Sequence, residues 1–416
     1  MSPNPENTPT VAELLRQRGF MLLWGSRVTS TIGVQIQSVA LGWQVYETAR
    51  LTMSVSESAF WVGMMGLAAF VPVFLLALPA GETADRHDRK LVLLICYAGE
   101  IATAGLLVAA SFYGFVSLPL LIGVAALFGV ARAYTGPAGA SLAPMLVPRP
   151  LLPRAIAWNS LAYTSGAVAG PAIGGLLLGL SPTVAYSATC VLYLVAALTL
   201  SLIRQNTKPE VQPGSRWALI KEGLAYVWGN KIVFGAISLD LFAVLLGGAT
   251  ALLPVFARDI LHVGAQGFGL LRSAPAMGAA LVAVVLATRP IRRHAGLFLL
   301  GGVALFGAAT LVFGLSRSMP LSVLALAVLG GADMLSVFVR QTLVQLVTPD
   351  HMRGRVSAVS SLFIGASNEL GDFESGIVAR FVGPVGAALF GGAGSIAITV
   401  IWAKLFPGLR KFDTLG

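Results

Sequence analysis

The chain has 416 residues, of which 56% are hydrophobic and only 11% are charged, and its mean hydropathy is +0.81. Soluble domains are about 25% charged, so this composition excludes a water-soluble globular protein and requires burial in lipid. The net charge of +10 raises the question of a nucleic-acid partner, which the distribution of the basic residues excludes.

The first nineteen residues are polar and proline-rich, with Arg16 and Arg18 near their end. The apolar run that follows carries Gln35, Gln37 and Gln44 and no evident cleavage site, so a retained first helix is expected and not a signal peptide. A spanning helix needs about 20 predominantly apolar residues. About twelve segments qualify: 20–47, 57–80, 91–113, 117–136, 155–179, 184–203, 231–256, 267–288, 295–315, 320–346, 356–379 and 384–405. They are too long and too continuously apolar for the alternating strands of a membrane barrel.

Between the second and third segments stands Gly81-Glu-Thr-Ala-Asp85-Arg86-His-Asp-Arg89-Lys90, in which six of ten residues are charged. Where charge is so scarce, this reads as a tight aqueous loop between two membrane helices. The longest polar break is 204–230, with Pro209, Pro213, Gly214 and several basic residues. Within it Ser215 can cap a helix whose Trp217, Ile220, Leu224 and Val227 recur at three- and four-residue spacing, suiting the inner membrane surface. The expected division is a six-helix bundle in 1–203, a cytoplasmic linker in 204–230 and a second six-helix bundle in 231–416. An internal repeat supports it: Arg154-Ala-Ile-Ala-Trp-Asn-Ser-Leu161 aligns with Arg355-Val-Ser-Ala-Val-Ser-Ser-Leu362, sharing Arg, Ala, Ser and Leu. The fold class expected is all-α integral membrane, twelve transmembrane helices in two pseudo-symmetric bundles with a substrate site near the midplane.

With the N-terminus inside, about 20 of the 28 Lys and Arg fall on the inner side. Arg50, Arg258, Arg317 and Arg380 fall outside, and Arg27, Arg132, Arg272 and Arg340 within spans. This asymmetry puts both termini in the cytoplasm and makes the basic charge a matter of topology. Cys96 and Cys190 both lie in predicted spans, where they read as packing residues and not as a disulfide or metal site.

Gly81, Asp85, Arg86, Arg89 and Lys90 match the loop G-x-x-x-D-R-x-G-R-K/R of the major facilitator superfamily, which this segment resembles. Asp88 stands where the family has Gly, and Asp tolerates the left-handed turn expected there. Gly166, Gly170, Pro171, Gly174 and Gly175 form G-x-x-x-G-P-x-x-G-G, similar to the helix 5 motif of the antiporter branch; such glycines also allow close helix packing. Residues 340–376 and 147–160 closely resemble the enterobactin-exporter-like, transmembrane secretion effector branch. The resemblance covers essentially the whole chain. It implies a major facilitator transporter that works as a single chain in the inner membrane of a bacterium.

Ionisable residues in spans cost about 2.5–3.5 kcal/mol or more each and are functional candidates. Arg27 and Asp240 fall in equivalent spans of the two halves, those that line the cavity in the superfamily, and are expected as a cross-cavity pair or as separate substrate and proton sites. Asp333 is a further candidate, and it shares a helix face with Arg340, which is expected to snorkel or to anchor the inner gate. Glu369, Asp372 and Glu374 crowd the eleventh span; Glu369 and Asp372 face the same way and suit a proton carrier. Glu100 lies on a span that is peripheral in the superfamily. Asp85, with Arg132 near the inner end of the fourth span, is expected to gate, Asp85 against the start of the eleventh.

The four histidines lie in loops or at helix ends without a catalytic arrangement, and no phosphate-binding loop appears. The expected function is therefore not enzymatic and needs no cofactor and no metal. It is proton-coupled efflux of a small amphiphilic substrate, a siderophore or drug, by alternating access, with protons and the lipid bilayer as the other partners. The alternatives are a lipid or lysolipid carrier, an importer, or a non-transporting receptor or assembly protein.

Overall fold

The computed structural model describes residues 10–208, 216–289, 291 and 293–414, with side chains throughout except at 216–220. Among the described residues there is no strand. In chain order the helices are α1 (Val11–Leu15), α2 (Arg18–Arg50), α3 (Val55–Arg86), α4 (Arg89–Tyr113), α5 (Leu118–Leu142), α6 (Leu152–Leu180), α7 (Pro182–Ser201), α8 (Arg216–Gly229), α9 (Lys231–Leu246), α10 (Leu253–Val255), α11 (Gly264–Thr288), α12 (Ala295–Leu315), α13 (Met319–Val347), α14 (Asp350–Leu405) and α15 (Pro407–Arg410).

Among the described residues ten helices are long and apolar enough to cross a bilayer. Two of the expected segments account for the difference from twelve. The first lies in α2, which Arg27 and its glutamines make too polar to count. The eleventh and twelfth are joined in α14, interrupted at Gly383, whose φ of 78° only glycine adopts easily, followed by Pro384. Large apolar side chains face outward along these helices, among them Leu91 and Ile95 of α4 and Leu194 and Leu198 of α7. Lipid is the solvent that accepts such surface, and the chain is a multi-pass membrane protein.

The residues group into two compact units, 1–40 with 71–116 and 126–214, and 41–70 with 117–125 and 215–416. In the first unit α4 packs along α7, and α2 is tied to several neighbours. Ser26 Oγ donates to the Ala196 carbonyl at 2.8 Å, and Trp24 Nε1 donates to the Trp158 carbonyl at 2.9 Å. The glycine motif of α6 packs against α2: a Cβ at Gly166 would lie 2.6 Å from Thr31 and one at Gly170 2.5 Å from Gln35. Gly174, Gly175 and Pro171 are buried on the same helix. The second unit has an apolar core shared by α9, α12, α13 and α14, with Val233, Ile237, Leu299, Val339 and Val356 at its centre. There α11 and α13 approach through Gly278 and Gly330, whose missing side chains leave space for the Ala327 and Pro275 carbonyls.

The linker helix α8 docks on this second unit. Val227 is buried, Tyr226 Oη donates to the Val347 carbonyl at 3.1 Å, and Glu222 pairs with Arg355. Ser215, Pro209, Pro213 and Gly214 and the side chains of Trp217 and Ile220 lie outside the described residues, as do Pro290 and Arg292.

The charged decapeptide is not a loop over its whole length. Helix α3 continues through Gly81 to Arg86, supported by a Glu82–Arg86 ion pair at 2.8 Å, so only His87 and Asp88 connect it to α4. Asp88 has φ −59° and ψ 112°, so the expected left-handed turn does not occur. Its carboxylate caps α4 by accepting the Lys90 N–H at 3.0 Å and also accepts from the Thr207 hydroxyl. The bases then serve helix ends. Lys90 Nζ donates to the Ser201 and Ile203 carbonyls at 2.8 and 2.7 Å, and Arg89 donates to those of Ser141 and Ala84 at 2.9 and 3.1 Å. These are carbonyls near helix C-termini that lack an intrahelical partner or attract positive charge.

Gly330→Ala is expected to destabilise the protein by about 1–3 kcal/mol, because α11 and α13 must separate; thermal unfolding in detergent beside Gly105→Ala, where nothing lies within 4 Å, checks this. Asp88→Ala is expected to cost about 1 kcal/mol as a lost cap, with faster proteolysis of the 204–208 segment as the accompanying readout.

Candidate functional site

A cavity of about 280 Å³ lies in the first unit among α2, α4, α5 and α6. Arg27, Tyr97, Glu100, Arg132, Asn159 and Tyr163 line it, with Leu23, Val34 and Leu93 as apolar wall. Tyr97 fixes α4 to α2, its hydroxyl donating to Ser30 Oγ at 3.2 Å. The Arg27 guanidinium lies against Gly139 of α5, where a Cβ would come within 2.7 Å of Nη2. Glu100 and Arg132 act on each other electrostatically. Glu100 Oε2 and Asn159 Oδ1 are buried without a hydrogen-bond partner.

The second unit holds a buried ionic cluster. Arg340 of α13 is 1% exposed, and its Nη2 lies 3.2 Å from Asp240 Oδ2 of α9. Its Nη1 donates to Ser360 Oγ of α14 at 3.3 Å. Asp333, seven residues earlier on α13, feels the charges of both Asp240 and Arg340. With all three ionised, this set of two carboxylates and one arginine would carry a formal charge of −1.

The eleventh expected segment contributes Asp372. Helix α9 ends at Gly247, and a 3-10 turn, Ala249–Leu252, opens the continuation. Asp372 Oδ1 accepts the Ala251 N–H at 3.2 Å, one of the donors freed by that break. Arg272 and Glu369 lie near enough for their charges to act on Asp372. Close by, Gly63 of α3 meets the backbone of Asp372 and Gly376. Glu374 instead accepts from its neighbour Ser375 at 3.4 Å. At one end of the same unit, Asp259 accepts from Tyr46 at 2.5 Å and pairs with Arg50 at 3.3 Å, while Arg258 pairs with Glu47 at 3.2 Å.

Several expectations change. Asp240 pairs with Arg340, as α9 and α13 share one core. Arg340 does not snorkel; it is among the largest fully buried side chains. Arg132 lines the cavity, and Arg89 of the decapeptide reaches the end of α5. Glu100 is a cavity residue, although its span was read as peripheral. Its signal was present in the sequence, since it is the sole acidic residue in the apolar run 91–113. Tyr97 and Asn159 carry no comparable signal, and the Tyr46–Asp259 contact joins residues more than 200 positions apart.

The profile of the transmembrane secretion effector family matches residues 10–415. The chain is 27% identical over 407 residues to the enterobactin exporter EntS of Citrobacter koseri, covering 94% of this chain and 93% of that protein. It is 26% identical over 413 residues to the multidrug efflux pump Tap of Mycobacterium bovis, covering 96% and 95%. Among solved structures, the POT family transporter PepTSo superposes with a TM-score of 0.77 at 12% identity, over 94% of this chain and 98% of that one. A bacterial homologue of the iron transporter ferroportin does so with 0.71 at 16%, over 96% and 100%. The chain belongs to the transmembrane secretion effector family of the major facilitator superfamily and is a transporter, not an enzyme.

Proposed function

We propose that this transporter exports a small amphiphilic molecule in exchange for protons, by alternating access. The observation that carries this is a hollow lined by Arg27, Glu100 and Arg132, formed by α2 together with α4, α5 and α6, three helices apolar enough to span lipid. Ionisable groups are costly there and are retained where a substrate or ion path needs them. An enterobactin exporter and a multidrug efflux pump among the relatives support outward movement of a siderophore or drug.

The twelve-helix count follows if α2 is the first span despite its polar residues and α14 is two spans divided at Gly383–Pro384. The halves are then 1–203 and 231–416, joined by 204–230. The excess of Lys and Arg in alternate loops favours the inner membrane of a bacterium with both termini in the cytoplasm, and a single chain suffices. Arg89, Lys90 and Asp88, which bind helix ends around the α3–α4 junction, suit a gating role for this segment, with Asp85 and Arg86.

Coupling is assigned to Asp240, Asp333 and Arg340. One proton makes the cluster neutral, and its loss leaves a net negative charge that favours a different packing of α9, α13 and α14. Glu369, Asp372 and Glu374 form the second candidate site, with Asp372 also bound to the break in α9.

Proteoliposomes carrying an enclosed pH dye, challenged with catecholate siderophores and cationic drugs, test this. The wild type is expected to give a substrate-dependent pH change. Asp333→Asn is expected to lose it while still exchanging labelled for unlabelled substrate, and Glu369→Gln to keep it. Proton flux unchanged in both Asp333→Asn and Asp240→Asn removes the coupling role from the cluster. Substrate movement with no pH change in the wild type indicates a uniporter or lipid carrier. Arg340→Ala is expected to cost about 3–5 kcal/mol by leaving buried carboxylates unpaired, and Asp240→Asn in the same chain to recover part of it, read by thermal unfolding.

A further inference from the structure

We infer that the cavity of the first unit takes an anionic head group, and that Arg27 is the cation that binds it. The inference deepens the proposed export function and rests on it. Among the described residues Arg27 makes no ion pair and donates no hydrogen bond, although it lies in an apolar helix bundle. The other cation of the cavity, Arg132, has Glu100 as its electrostatic counterpart. The neighbour of Arg27 in the cavity is the phenol of Tyr97. A half-buried cation without a counter-ion is unfavourable in so apolar a setting. A ligand anion would supply the missing partner.

Two further features define the ligand. Gly139 keeps open the space that the guanidinium occupies; any side chain there would meet Nη2. An arginine fork at the cavity wall suits the two-pronged recognition of a carboxylate or phenolate. Opposite in character are Glu100 Oε2 and Asn159 Oδ1, buried acceptors that lack donors. They ask for hydroxyl or amine hydrogens on the same ligand. A volume of about 280 Å³ lies at the lower end of small-molecule sites, which run from about 300 to 1,000 Å³. It encloses one ring with its substituents and not a whole drug. The class that fits is a hydroxylated aromatic or aliphatic acid, alone or as the head of a longer amphiphile; a purely cationic amphiphile would face two arginines against one glutamate.

The test uses the full chain in nanodiscs, with radiolabelled salicylate as probe, salicylamide as its neutral analogue and ethidium as the cationic amphiphile. Wild type is expected to bind salicylate and to bind salicylamide at least about tenfold more weakly, the usual scale of a charge-assisted contact. Arg27→Ala is expected to lose about tenfold or more in salicylate affinity, and Arg27→Lys, which keeps the charge but loses the fork, to fall between the two. Gly139→Ala keeps the charge and displaces the guanidinium, and a loss of similar size is expected. No salicylate binding by the wild type, or equal binding by wild type and Arg27→Ala, overturns the inference, as does ethidium binding with salicylate failing to compete. Arg27-dependent binding together with no outward movement of any compound in vesicles leaves the site standing and removes the export reading. Export of cations that does not depend on Arg27 does the reverse.

Discussion

No water is present in the core of a bilayer to pair with a free peptide group, so every interruption of a helix must be repaired by protein. This constraint organises the second unit. Helix α9 stops at Gly247, and the turn that continues it begins with freed N–H groups. One of them, at Ala251, is taken by the Asp372 carboxylate of α14. The break is therefore tied to a helix remote in sequence, and to the charges of Arg272 and Glu369 that act on the same carboxylate. A change at Asp372 would disturb a backbone junction as well as a charge. The Gly383 interruption in α14 is simpler, a glycine with positive φ followed by a proline.

The same scarcity of water sorts the charged side chains. Arg340 reaches Asp240 and Ser360, Arg258 reaches Glu47, and Arg50 reaches Asp259. Of these only the Arg340–Asp240 pair is buried; such a pair contributes little net stability, yet removing one partner is costly. It acts less as a fastener than as an element that specifies one arrangement of helices. Within the Asp240–Arg340–Asp333 cluster the charges do not balance, and within the cavity of the first unit Arg27 has no acid. Each of these places leaves something for a proton or a ligand to complete.

Both units are packed through close helix contacts. Glycines at 166 and 170 bring α6 onto α2, and those at 278 and 330 bring α11 onto α13. Lipid offers no hydrophobic drive for helices to associate, so such small-residue contacts and the polar links of Ser26 and Trp24 carry the packing. Asp88 shows a different economy of means. Its carboxylate both starts α4 and holds Thr207, which explains why an acid serves where the related loops have glycine.

Much of this protein was legible in its sequence. Lipid burial, helix as the spanning element, the family and the position of most membrane segments follow from apolar run length and from a short charged motif, because these are local properties. The charged motif marks a helix junction but not its width, since α3 runs on through the charged residues to Arg86. Among the candidate residues, Arg27, Asp240, Asp333 and Asp372 stood out simply as charges in apolar surroundings. Their partners did not. That Asp240 meets Arg340, that Glu100 shares a cavity with Arg27 and Arg132, and that Asp372 serves the break in α9 depend on how helices remote in sequence are rotated and how closely they approach. Sequence determined which groups enter the membrane, since insertion reads one segment at a time. Tertiary packing decided which of them are neutralised by the protein and which are left for something else to bind.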